Sequence, residues 1–114
     1  MAIAVMVTIP ADKASELAKK LVQERVCACV NVVNSVKSFF WWNDKIDETD
    51  ECLLIIKTKD SLFGRVQSMV RENHPYTVPE IISIKIDGIN KEYLTWLNKE
   101  VDAYGFTPQS GEDT

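Results

Sequence analysis

Between Asn34 and Thr58 the chain sets four consecutive aromatic rings, Phe39, Phe40, Trp41 and Trp42, ahead of a short turn at Asn43, Asp44 and Lys45. Ile46 to Glu51 and the run Cys52, Leu53, Leu54, Ile55, Ile56 follow that turn. β-Branched and aromatic residues on both sides of an Asn/Asp turn predict two antiparallel strands, because Asn and Asp tolerate the positive φ that a tight hairpin demands. Side chains alternate along a strand, so Phe39 and Trp41 fall on one surface of the ribbon and Phe40 and Trp42 on the other. Both surfaces then need cover. Each buried ring contributes roughly 1.5–3 kcal/mol, and rings left in water form an adhesive patch. A chain of 114 residues has helices enough for one sheet face. Either a second copy of the chain covers the other face, or the hairpin curls over its own core.

That length also sets one domain, expected over residues 1–104, with a single two-layer core. The formal net charge is −4, and five of the eight residues from Asp44 to Glu51 are acidic. A nucleic-acid binder needs clustered Lys and Arg to replace counterions, and no such cluster occurs, so no nucleic-acid partner is expected. Met1 to Ile9 is apolar but has no basic flank and is too short to span a bilayer; it reads as a strand, and no membrane partner is expected. Three cysteines and no secretory signal predict reduced thiols and a cytoplasmic location.

In chain order, Ala2 to Ile9 suits a strand buried on both faces and stopped by Pro10. Asp12 caps a helix or favours its positive end, and Ala14, Leu17, Ala18, Leu21 and Val22 form the apolar stripe of that helix, which ends near Arg25. Cys27 to Val33 reads as a strand entering the ribbon, with a bend at Asn34 and Ser35. Asp60 or Ser61 caps a second helix carrying Leu62, Phe63, Val66, Met69 and Val70. His74 to Pro79 is a loop, since each Pro lacks an N–H and restricts its predecessor. Ile81, Ile82, Ile84 and Ile86 make a fourth strand, Gly88 a turn, and Asn90 caps a last helix burying Tyr93, Leu94 and Leu97, with Trp96 beside them. Residues 105–114 read as a mobile tail. The order predicts an α+β, ferredoxin-like βαββαβ sandwich with an extra C-terminal helix, both main helices lying on one face of the sheet.

Chemistry-bearing residues are few. On a strand, Cys27 and Cys29 would point the same way, and their sulfurs suit Cu(I) or Zn; core packing is the competing role. His74, the single histidine, either meets a metal or a partner chain, or caps a helix and orients the Pro-Tyr that follows. Asp47, Glu48, Asp50 and Glu51 either hold a hard cation or form a solvated outer strand that guards a sheet edge. No nucleophile elbow, phosphate loop or second histidine is present, so an enzyme is not expected.

Several stretches together resemble the divalent-cation tolerance protein family, CutA. They are Glu24-Arg25-Val26-Cys27-Ala28-Cys29-Val30-Asn31, Trp42-Asn43-Asp44-Lys45-Ile46, Ile56-Lys57-Thr58, His74-Pro75-Tyr76-Thr77-Val78-Pro79-Glu80-Ile81 and Tyr93-Leu94-x-Trp96, in family order from Val5 to Val101. The resemblance implies a homotrimer similar to the PII signalling proteins, with hairpins completing neighbouring sheets, and a part in tolerance of copper and other divalent metal ions. By position it makes Cys29 and His74 the candidate metal contacts, with Cys27, where the family usually has Ala, a third. Asp44 stands where the family's hairpin turn has Gly. The leading expectation is a copper or other divalent-ion response protein that binds ions reversibly near subunit boundaries, with no organic cofactor. The alternative is a PII-like signalling or scaffold trimer binding a small ligand in clefts between subunits, where Phe40, Trp42, Tyr76 and Trp96 would lie.

Overall fold

A computed structural model of the protein describes residues 1–102. The expected domain end at 104 and tail at 105–114 lie outside the described residues. The elements are β1 (Ala2–Ile9), α1 (Ala11–Gln23), β2 (Cys29–Trp42), β3 (Lys45–Lys59), a 3₁₀ turn (Asp60–Leu62), α2 (Phe63–Asn73), β4 (Ile82–Lys85) and α3 (Lys91–Asp102). The four strands form one antiparallel sheet in the order β2-β3-β1-β4. This is the interleaved α+β arrangement that the element order predicts.

One sheet face makes the core. Ile3, Val5, Val7 and Ile9 stand opposite Thr58, Ile56, Leu54 and Cys52, and Ala14, Leu17 and Leu21 of α1 and Val66 and Val70 of α2 close over them. The other face of β1, carrying Ala4, Met6 and Thr8, is half-buried, so the strand is not enclosed on both sides as its apolar run predicts. On that open face Ile82 and Ile84 lie opposite Met6 and Ala4 and remain exposed.

Helix starts differ from expectation. Pro10 holds the N-cap of α1 and Asp12 falls in its first turn, where its charge suits the helix dipole. Neither Asp60 nor Ser61 caps α2: both enter the 3₁₀ turn, and the Asp60 carboxylate pairs with the chain's amino terminus at 3.3 Å. Helix α1 ends with Arg25 at φ 55°, the Val26 N–H returning to the Leu21 carbonyl and the Arg25 N–H to Val22. This pair of bonds is a Schellman stop in which Arg fills the position that usually holds Gly. It drops Val26 and Cys27 into the core, so the strand begins at Cys29 rather than Cys27.

The hairpin turn is the two residues Asn43 and Asp44, at φ 52° and 62°, with Trp42 opposite Lys45. Between Val33, opposite Leu53, and Val36, opposite Glu51, β2 has one residue more than β3. Ser35 sits in this bulge at φ 62°, and the Asn34 Oδ1 accepts from the Cys52 thiol at 3.3 Å. One extra residue exchanges the two faces of a strand. Val30 and Val32 face the helices before the bulge; after it, Ser38, Phe40 and Trp42 share the open face with Glu51 and Thr49.

Candidate functional site

At the β1 end of the open face, the loop after α2 is held by its histidine. The Tyr76 N–H donates to His74 Nδ1 at 3.1 Å, so Nδ1 carries the lone pair, and Nε2 donates its proton to the Thr8 carbonyl at 2.7 Å. The ring is buried, packs against Tyr76 at a centroid distance of 4.8 Å, and spends both nitrogens on the main chain. Coordination of an ion by His74 would require one of those bonds to break. Its geometry is that of the loop-orienting role, with His74 as the C-cap of α2.

The loop so positioned puts Tyr76 over β3. Its hydroxyl donates to Glu51 Oε2 at 2.9 Å, and Glu51 is 4% exposed. Burial, then the neighbouring Glu51 carboxylate, raises the Tyr76 pKa above its ordinary value. Glu51 is therefore no part of the solvated outer strand that the acidic run predicts: alternation along β3 sets it with Leu53 on the open face, and the loop carrying Tyr76 covers it there. Asp47, Glu48 and Asp50 do remain on the outer ribbon, where Lys37 bridges Glu48 at 3.1 Å and Asp50 at 3.5 Å. Between the hairpin and the loop lies a groove of about 830 Å³ whose walls include Phe40, Trp42, Glu51, Tyr76, Val78 and Glu80. Alternation along β3, with Cys52, Leu54 and Ile56 on the core side, is the signal that could have placed Glu51 on the open face.

The thiols lie elsewhere. Cys27 is in the core, and its burial, followed by the nearby Cys29, pushes the thiol up to about 12, so it stays protonated. Cys27 and Cys29 do not face the same way: Cys29 opens β2 on the opposite surface, half-exposed, near Asn31 and Tyr93. Burial, then Cys29, raises the Tyr93 pKa. Trp96 packs on Tyr93 at 5.3 Å and belongs to this end of the sheet, not to the groove beside Tyr76. Cys29 is opposite Lys57 and Thr8 is opposite Leu53, four residues along β3, which separates the thiol from the histidine's anchor by about 13 Å along the sheet. Two donors on one ion lie within about 4 Å of each other. The described residues of one protomer thus do not fit a metal centre, and no cluster of three His, Cys, Asp or Glu able to hold an ion occurs among them. Among the described residues no helix is long and apolar enough to cross a membrane.

The sequence profile described as CutA1 divalent ion tolerance protein matches residues 3–100. The "Divalent-cation tolerance protein CutA" of Thermus thermophilus is 42% identical over 96 residues, covering 83% of this chain and 93% of that protein. "Protein CutA 1, chloroplastic" of rice is 44% identical over 96 residues, 83% of this chain but 54% of the rice protein, so the chain spans about half of that relative's length. A solved structure from Archaeoglobus fulgidus, described as a periplasmic divalent cation tolerance protein CutA, superposes with a TM-score of 0.86 at 37% identity, covering 89% of this chain and 99% of that one. These names overturn the cytoplasmic expectation: relatives carry chloroplastic and periplasmic designations, and the count of cysteines in this chain fixes no compartment.

Proposed function

Since this chain belongs to the CutA1 divalent ion tolerance protein family, we propose that it serves in tolerance of divalent cations, copper among them, as a homotrimer that holds ions at boundaries between protomers. The observation that carries the assembly is the hairpin: Phe39, Trp41 and Ile46 are 64%, 72% and 66% exposed in a single protomer, and Trp42 on the other surface is 52% exposed. Burying Phe39, Trp41 and Ile46 against neighbouring copies removes apolar surface that a single protomer leaves in water. The distances favour boundary sites: Cys29 and His74 of one protomer are too far apart to share an ion, so a shared ion would draw its ligands from two protomers. Cys29 is the soft donor, half-exposed and free of a disulfide. Binding is reversible and without catalytic turnover.

The test is native mass spectrometry with Cu(II) calorimetry. A trimer binding Cu(II), with affinity at least tenfold lower in Cys29→Ser, supports the reading; a monomer at low micromolar concentration, or Cu(II) affinity unchanged by the substitution, overturns it. A second reading, a PII-like signalling or scaffold trimer taking a small ligand in its clefts, is favoured by one observation: the groove beside Tyr76 has a buried carboxylate in its wall.

A further inference from the structure

We propose that the groove between the hairpin and the His74–Glu80 loop binds a small organic ammonium ion, one positive charge carried on a short apolar body. The inference rests on the second reading above and gives its ligand a chemistry.

Glu51 carries the argument. It is 4% exposed, and the one hydrogen bond to its carboxylate among the described residues comes from the Tyr76 hydroxyl on Oε2. None of the ion pairs among the described residues includes it. A carboxylate has about four acceptor sites, and removing it from water is strongly unfavourable unless a cation or several donors replace the solvent. The position is thus short of a positive partner.

The remaining walls specify what kind. Asp47 and Glu80 join Glu51, Glu48 being paired with Lys37, and no Lys or Arg lines the groove among the described residues, so its field attracts cations and repels anions. Phe40, Trp42 and Tyr76 supply rings that are exposed in a single protomer and whose faces attract a cation and pack against an apolar body. At about 830 Å³ the groove is of a size that takes small molecules. A bare divalent ion fits less well: it needs several converging oxygens or nitrogens, and no cluster of three such residues exists among those described. One buried carboxylate with aromatic walls satisfies an ammonium. The floor is prearranged, because His74 ties the Tyr76 main chain to Thr8 before any ligand arrives.

The experiment is isothermal titration calorimetry of the full-length protein with benzylammonium, benzyl alcohol and benzoate, repeated on Glu51→Gln and Glu80→Gln. Expected are binding of benzylammonium, at least tenfold weaker binding of benzyl alcohol, no binding of benzoate, and at least a tenfold loss of benzylammonium affinity in Glu51→Gln. Glu80 is exposed, so Glu80→Gln keeps the fold and reads the same field with a smaller loss of about two- to threefold. Equal binding of benzylammonium and benzyl alcohol overturns the inference but leaves the small-ligand reading standing. No binding of any probe, as when a neighbouring protomer's own side chain fills the groove, overturns both. Unchanged benzylammonium affinity in both variants places the ion elsewhere and overturns the inference alone.

Discussion

The Tyr76 hydroxyl reaches Glu51 at 2.9 Å across 25 positions of sequence, joining the loop after α2 to the strand that leaves the hairpin. The contact depends on two features: the alternation of β3, which sets Glu51 on the open face, and the histidine that fixes the Tyr76 main chain. Tyr76→Phe removes the carboxylate's donor while keeping the ring. A hydrogen bond to a charged group is worth about 1.5–3 kcal/mol, and urea denaturation is expected to show a loss of about 2 kcal/mol. A loss under 0.5 kcal/mol would mean that water or a neighbouring protomer already serves Glu51.

His74→Ala deletes two bonds to the main chain, leaving the half-buried Thr8 carbonyl and the Tyr76 N–H without their partner. The expected cost is about 2–4 kcal/mol, with faster amide exchange at Tyr76. His74→Asn restores part of it only if a side-chain amide can span the same two groups.

Asp44 holds φ 62° at the second turn position, where an L-residue is strained and Gly is not. Asp44→Gly is expected to stabilise the protein by about 0.5–1 kcal/mol in chemical denaturation. A destabilised variant would show that the Asp44 side chain contributes a contact larger than the backbone relief.

Alkaline pH should weaken the fold. Cys27, raised from 9.0 to about 12, and Tyr76 and Tyr93, both raised, all hold their protons more tightly when folded. Below about pH 9 these groups are neutral in both states and the stability is intact. Above it the unfolded chain loses protons first, and stability falls as pH rises toward the folded values, by a few kcal/mol at most. Urea midpoints at pH 8 and 11 measure the fall, and Cys27→Ala should make it shallower. A midpoint independent of pH up to 11 would contradict the burial of Cys27.

Placing a charge among the exposed rings tests the assembly directly. Trp41→Glu, at a residue 72% exposed in the protomer, should leave the circular dichroism of the protomer unchanged while shifting sedimentation from trimer toward monomer. A trimer that persists would move the interface away from this surface of the hairpin.

The elements were legible because their signals are local. The rings and the Asn43-Asp44 turn specify the hairpin, and the spacing of Ala14, Leu17 and Leu21 specifies α1 and its buried side. Asn34 and Ser35 were readable as a bend, but not as an extra residue that exchanges faces, since that depends on how β2 aligns with β3. Glu51 was hidden because its cover comes from a loop 25 residues away, while it stands inside a run of acids whose other members do face water. Cys27 looked like a strand residue because nothing at Arg25 resembles the Gly that commonly ends a helix in a Schellman turn. The separation of Cys29 from His74 is set by strand order and register, which no stretch of sequence states.

A single additional residue in the β2 ladder gives the ribbon two independent orientations, the inner half aimed by the helices and the outer half by arithmetic. Substituting Asn34 or Ser35 should be survivable, whereas removing one of them would carry Phe40 and Trp42 to the back of the hairpin and bring Phe39 and Trp41 to the front. The identity of the rings that line the groove is thus stored in a length, and a shortened variant would keep every aromatic side chain yet present the other pair.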